Sequence, residues 1–513
     1  MLKNNSKSEI DWGLFVLSSS ILLGAILPIV LVPEKSKHLI GGLFAYLTDE
    51  LGVLYVLLAN LVLVFLLVIG FSRFGTLRLG NSRPRYSNFS WAAMLFCAGM
   101  GASLLYWGAA EWVFYYTAPP FGVEPASVDA ILWASSYGIF HWGPVGWAFY
   151  CLPTVALSLS YYRRKVPILR LSAACEPVLG RHLQKPVGRI VDLIFIVGLI
   201  GSAATGLGLG TSVVASAITR LTGLEDGFFM QSVVIFIATA LIALSVYRGL
   251  DSGIKTLSNV NAVLALIFIA FVLGAGPTQF ILEMSVASVG TVTQNFPKML
   301  TWTDPLQSAS FVESWTVFYW AWWLALGPFV GMFVCKISEG RTLRSVIFGM
   351  LGWGSLGCAL FFVVLGNYAL FLEIEGLYPF ISEATEQSPS VALAGIVERL
   401  PMGSFWLIYL AVIGLIFVAT TYDSASYTLA AGATRSLGEG QDPARWHRVF
   451  WAVALGILPL SLLFLGGLKE LQTAAVVASI PLIFVYLLLV ASIIKMLRSS
   501  ACDSGQKEPD HRE

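Results

Sequence analysis

The chain has 513 residues, of which 57% are hydrophobic and only 12% charged, about half the charged share of an ordinary soluble domain. A net charge of +1 argues against a nucleic-acid partner, which would call for a strongly basic face. Apolar runs of roughly 17 to 25 residues, the length that crosses a bilayer as a helix, recur along nearly the whole sequence, and an all-α integral membrane protein is expected.

Twelve spans are predicted in chain order, near 13–32, 51–71, 90–116, 138–160, 190–216, 230–247, 256–277, 311–335, 343–371, 403–434, 447–467 and 472–494. The polar residues 1–12 read as a tail before an anchor, because no small-residue cleavage pattern follows. Residues 13–89 carry two leading spans, 278–310 an external connecting segment, and 495–513 a short polar tail. Starting the N-terminus inside and alternating sides places all 31 Lys and Arg residues on the inner side except Lys35, Lys37, Arg220, Lys298, Arg399 and Lys469. Positive residues favour the cytoplasmic side, so both termini are expected in the cytoplasm, with the spans in the cell's plasma (inner) membrane. The six cysteines lie in spans or on that side, and no disulfide is implied.

Three spans combine Gly, Pro or hydroxyl residues with unusual side chains at mid-depth. Span 3 reads "FCAGMGASLLYWGAAEW", span 8 "WTVFYWAWWLALGPFVGMF" and span 10 "IFVATTYDSASYTLAAGA". Non-helical backbone survives at membrane depth only where protein or a water-filled cavity surrounds it. Gly/Pro-interrupted spans in corresponding halves point to a transporter binding site. Spans 3 and 8 each open a set of five, 90–277 and 311–494, and an odd number of crossings forces the second set to be inverted. Broken helices are therefore expected at "GMG" and "LGPFVG"; the competing reading is close helix packing through small faces.

Trp315, Tyr319, Trp322 and Leu326 fall at i, i+4, i+7 and i+11, on one helical face, with Trp323 beside Trp322. Trp107 and Trp142 sit at mid-depth in spans 3 and 4. Trp112, Trp446 and Trp451 read as interfacial belts. Several electron-rich rings around a cavity, with no lone carboxylate obvious among them, suit a cation that cannot donate hydrogen bonds. Quaternary ammonium is such a cation, and each ring would contribute about 0.5 to 2 kcal/mol.

At this point the sequence resembles the betaine/choline/carnitine transporter family, through "GMGASLLYWGAAE", "PPFGVEP", "FHWGPVGWAFY", "GLGLG", "FYWAWWLALGPFVGMFVCKISEGRT" and "DSASYTL". The resemblance implies twelve spans, a LeuT-like core of two inverted five-helix repeats, a homotrimer, and import or exchange of trimethylammonium compounds (carnitine, glycine betaine or choline) by alternating access. It implies Trp142, Trp315, Tyr319, Trp322 and Trp323 as box and pathway residues, and Trp107 near a second, outer site. Leu326 departs from a position that is aromatic in many members, and Phe114 from a Tyr of the carnitine exchangers. Met100, in the "GMG" break, joins the candidate substrate contacts.

Sodium takes hard oxygen ligands, and an unwound helix supplies carbonyls. Thr420 and Thr421 offer adjacent hydroxyls, with the Phe417 carbonyl one turn earlier and the carbonyls of Cys97 and Met100 across in span 3. In sodium-coupled members matching positions form a shared cation site; the bland alternative is that both threonines bond back to their own helix. Asn261, in "LSNVNAV", matches a position where sodium-independent exchangers carry Arg. Sodium-coupled uptake is the expectation. Sodium-independent exchange, such as carnitine/butyrobetaine antiport, and proton-coupled choline-type import are the alternatives. Asp423 and Glu111 are the carboxylates placed in the core, expected to bond unwound backbone rather than carry protons, and His141 is expected to orient backbone. Five histidines do not cluster as a zinc site would require, so no enzyme and no cofactor beyond a coupling ion is expected.

Overall fold

The computed structural model describes residues 9–166, 168–184, 186–248, 251–306, 310–436 and 442–505; Lys3, Lys7, Lys185, His511 and the tail beyond 505 lie outside them. Among the described residues ten helices are long and apolar enough to cross a membrane: Trp12–Leu31, Pro33–Phe71, Pro186–Thr222, Phe228–Arg248, Leu257–Ala275, Val312–Ile337, Leu343–Ile374, Gly403–Gly432, Arg445–Leu465 and Leu468–Ser499. They realise spans 1, 2 and 5 to 12. An eleventh crossing, span 3, is a bent pair, Asn88–Ala98 and Ala102–Thr117, turned by 62° at the break.

The remaining expected span, 138–160, is built instead from Val128–His141 and Pro144–Ser158. At 1.5 Å per residue the first is about 20 Å long, too short to cross alone, whereas the second runs on through a π turn, Leu159–Arg163, to about 30 Å, the thickness of a bilayer's hydrocarbon core. Pro144 sets the division: it lacks an N–H and fits the first position of a helix but not an interior one.

Spans 5 and 8 are the most buried, while spans 1, 6 and 7 are the most exposed. The exposed side chains on these outer spans, such as Leu23, Leu27, Phe236 and Ile267, are those a lipid tail would meet. The connecting segment is itself a helix, Thr278–Thr301. Ser288 on this helix hydrogen-bonds Ser135 at 2.6 Å, and Ser135 donates to Asn367 Oδ1 at 2.6 Å, which pins it across spans 4 and 9. Near the N-terminus, Glu9–Ile10 pairs antiparallel with Thr434–Ser436 after span 10. Cys97, Cys151, Cys175, Cys335 and Cys358 are unpaired.

The expected break in span 8 is absent. Val317–Ile337 runs on through Pro328, and only its first turn, Val312–Thr316, is widened to a π turn. Pro328 cannot donate to the Leu324 carbonyl. Tyr486 partly stands in for that donor, its one hydroxyl proton shared between Phe149 O at 2.7 Å and Leu324 O at 3.2 Å. The glycines allow the approach. A Cβ on Gly327 would lie 2.0 Å from the Tyr486 hydroxyl, and one on Gly331 3.0 Å from the Thr154 nitrogen. Close packing, and not a break, is what "LGPFVG" encodes.

Candidate functional site

Span 3 does break, at Gly99, Met100 and Gly101. Gly99 and Met100 donate to Phe96 O and Cys97 O at 3.3 and 3.0 Å, tightening the end of the first half. Gly101 is extended at φ −150°, ψ 172° and precedes the second half. The break leaves the C-terminus of one helix facing the N-terminus of the next, ends of opposite partial charge.

This broken backbone lines a cavity of about 140 Å³, from Ala98 to Ser103, with Trp142, Tyr150, Trp322, Trp323, Thr421 and Tyr422 among its other walls. The rings of Trp322 and Trp323 stand edge-on to Trp142, with centroids 5.6 and 5.5 Å away at 89° and 76°. Tyr150 closes on Trp323 at 4.5 Å. No lining side chain is Asp, Glu, Lys, Arg or His. Two of the three indole N–H groups are taken up by protein acceptors. Trp142 donates to Glu111 Oε2 at 3.0 Å and Trp322 to the Ser202 carbonyl at 3.1 Å. The Trp323 N–H is buried without a hydrogen-bond partner among the described residues, its edge lying against Gly146, where a Cβ would sit 2.8 Å from Nε1. Ring faces and hydroxyls therefore dominate what the cavity presents.

The rings expected on one helical face divide into two groups. Trp322, Trp323, Met100 and Trp142 line the cavity, and Leu326 joins them. Trp315 and Tyr319 do not; they pack with Trp107 at 5.8 Å each, and Trp315 meets Phe114 at 4.6 Å. The reason is length, since eleven residues of helix from Trp315 to Leu326 rise about 16 Å, farther than one small cavity reaches. Tyr319 couples the groups, 5.8 Å from Trp142 and 6.4 Å from Trp322.

Glu111 bonds side chains, not unwound backbone. It is buried and accepts from Tyr115 at 2.5 Å, Tyr319 at 2.5 Å and Trp142 at 3.0 Å. His141, expected to orient backbone, instead bridges side chains: Nδ1 lies 2.9 Å from the Tyr115 hydroxyl and Nε2 3.1 Å from Thr316 Oγ1. Asp423 is buried in Gly403–Gly432, and its carbonyl accepts from Ser426 at 2.8 Å.

The candidate sodium ligands are spread. Met100 and Thr421 line the cavity. Thr420 bonds its own helix, reaching Ile416 O at 2.8 Å and Phe417 O at 3.4 Å; its proton is thereby placed, and the oxygen lone pairs remain. The Cys97 carbonyl already accepts from Met100 N. Asn261 is buried beside this helix and donates to Ile413 O at 3.1 Å. Among the described residues no cluster of His, Cys, Asp and Glu could hold a metal ion. Tyr150 and Tyr422 are cavity residues that the ring-spacing reading missed. Tyr150 lies in the quoted "FHWGPVGWAFY" and Tyr422 directly follows Thr421, so adjacency was their signal.

Residues 13–502 match the model of the betaine/carnitine/choline family transporters. The chain belongs to that family. It is 33% identical over 498 residues to a carnitine transporter of Acinetobacter baumannii, covering 97% of this chain and 90% of that one. It is equally 33% identical over 495 residues to the glycine betaine transporter OpuD of Bacillus subtilis, covering 96% and 94%. A high-affinity choline transport protein of Escherichia coli is again 33% identical, over 501 residues, covering 96% of this chain and 73% of that one. The family member described here is thus a multi-pass membrane transporter and not an enzyme. Identity favours no one substrate over the others.

Proposed function

We propose that this transporter takes up a trimethylammonium compound bearing a carboxylate, glycine betaine or carnitine, together with sodium, by alternating access. One observation carries the substrate class: the cavity is walled by the rings of Trp142, Trp322 and Trp323, the N–H groups of the first two are spent on protein acceptors, and no charged side chain lines it. A methylated ammonium needs no directional acceptor and is held by ring quadrupoles; a primary ammonium gives up more hydration on ring faces and finds no carboxylate in the cavity to replace it. The carboxylate preference rests on the Ala102–Thr117 N-terminus and the hydroxyls of Ser103, Tyr150, Thr421 and Tyr422 in the same cavity, because a helix N-terminus favours anions. Choline, with a hydroxyl in place of the carboxylate, would gain less there.

Sodium coupling is supported by the Thr421 side chain facing the same cavity as the broken backbone, and by Asn261 standing where an exchanger would carry a fixed positive charge. The charge distribution along the sequence supports cytoplasmic termini and an outer face carrying Lys298 and Arg399. The homotrimer follows from family likeness.

Thermal stabilisation of the purified chain tests the substrate class, since a ligand that binds only the folded state raises stability by RT ln(1 + [L]/Kd). Glycine betaine and carnitine raise the Tm, choline raises it less, and glycine and ethanolamine leave it unchanged. Equal shifts with methylated and unmethylated amines would reject the proposal.

A further inference from the structure

Away from the cavity, a second set of rings already holds a cation. The Lys298 ammonium lies 3.9 Å from the centre of the Phe121 ring and 5.8 Å from that of Trp133. Trp302 packs on Phe121 at 4.2 Å, with the two planes inclined by 38°. Lys298 is exposed and the three rings are half-buried. Among the described residues Lys298 has no carboxylate within ion-pair distance, so its contacts here are π-faces. The backbone is shaped for the arrangement, because Phe121 sits in the left-handed region at φ 61°, ψ 21°, which a bulky residue rarely adopts. The motif "PPFGVEP" has no other role in the site described above.

We infer that Phe121, Trp133 and Trp302 form an outer site for a quaternary ammonium ion, with Lys298 as its tethered occupant. A lysine ammonium is compact and strongly hydrated, so it gives up more hydration on a ring face than a methylated cation does. Its long stem lets it swing away into solvent. A methylated cation therefore displaces it and takes the faces it leaves. The position suits a capture step. Trp302 lies 5.8 Å from Phe311, Phe311 5.0 Å from Tyr115, and Tyr115 5.5 Å from Trp315, where the ring group around Trp107 begins. The site takes its ligand class from its own geometry and stands whether or not the central cavity binds the same ion.

The test counts sites with tetramethylammonium, which has no second pole, by calorimetry on the full chain in nanodiscs. In the Trp322→Leu/Trp323→Leu background, which removes the central rings, one weak site remains. Trp133→Leu in that background abolishes it, and Lys298→Gln tightens it at least threefold, while Lys298→Arg does not tighten it. No residual site, or a residual site indifferent to Trp133→Leu and Lys298→Gln, overturns the inference. So does a Lys298→Gln variant that loses thermal stability without gaining affinity, since that marks Lys298 as a structural staple only. Failure of the central reading looks different: binding in the doubly substituted background would equal that of the unmodified chain.

Discussion

The Trp142 indole N–H donates to Glu111 Oε2 at 3.0 Å, joining a cavity wall to a carboxylate that is not itself in the cavity. The same oxygen accepts from Tyr319 at 2.5 Å, so one buried carboxyl group fixes rings from spans 4 and 8 through span 3. Tyr115, Tyr319 and Trp142 each point an O–H or N–H at this carboxyl group, and His141 Nδ1 lies 3.7 Å from Oε1. Glu111 thus acts as a fixed acceptor that orients Trp142.

Replacing that acceptor should loosen the wall. Glu111→Gln sets an amide N–H₂ against donors, and hydrogen bonds to a charged group are worth about 1.5–3 kcal/mol. The expected result is a KM for substrate raised tenfold or more, with a lower Tm. Uptake by the unmodified chain should not respond to an imposed pH gradient. A response that Glu111→Gln removes would make Glu111 a proton carrier instead.

The cavity rings and the interfacial rings should separate cleanly. Trp322→Leu or Trp323→Leu removes a desolvated cation–π contact of about 1 to 2 kcal/mol, lowering apparent affinity about tenfold. Trp446 is 47% exposed and stacks on Trp12 at 5.9 Å, so Trp446→Leu should be nearly silent. Substrate titrations on equally expressed variants check both.

The continuity of span 8 makes a prediction about stability. Tyr486→Phe strands the Leu324 carbonyl, at a cost of about 1–3 kcal/mol. In a Pro328→Ala background the helix supplies its own N–H to that carbonyl, and the same substitution should cost less. A double-mutant cycle on Tm reads the difference directly. Equal costs in both backgrounds would mean that Tyr486 does not stand in for the missing donor.

Much of the fold was legible because burial in lipid demands long apolar runs, and the break at "GMG" because two glycines flank it. Span 4 was harder: Pro144 divides it into helices that a hydropathy window merges with their neighbours. Span 8 was misread for a different reason. Gly327 and Pro328 are answered by Tyr486, 158 residues beyond Pro328 in number, and Gly331 by Thr154, neither visible to any local pattern. The partners of Glu111 escaped in the same way, with Tyr319 on another span. Trp142, Trp322 and Trp323 were legible because large rings at mid-depth have few lipid-facing uses. The grouping of Trp315 and Tyr319 with them overlooked how far a helix face extends.

Sodium dependence should report on span 10 and its neighbour. Thr421→Ala removes a cavity hydroxyl and should weaken the dependence of uptake on sodium while leaving the rings intact. Because coupling is reciprocal, sodium should raise substrate affinity by the same factor that substrate raises sodium affinity. Asn261→Arg should partly free uptake from sodium, since a tethered charge stands in for the mobile one. Uptake by the unmodified chain that ignores a sodium gradient would identify an exchanger.

The central claim is that the cavity recognises a methylated cation and that the protein carries it across the membrane. Counterflow measures both at once: proteoliposomes loaded with unlabelled glycine betaine and sodium are diluted into labelled glycine betaine at equal sodium. The account predicts transient accumulation of label, absent in empty liposomes, strongly reduced in Trp323→Leu, and not competed by excess glycine. Absence of accumulation with glycine betaine, carnitine and choline alike, from protein that is folded and correctly inserted, would contradict it.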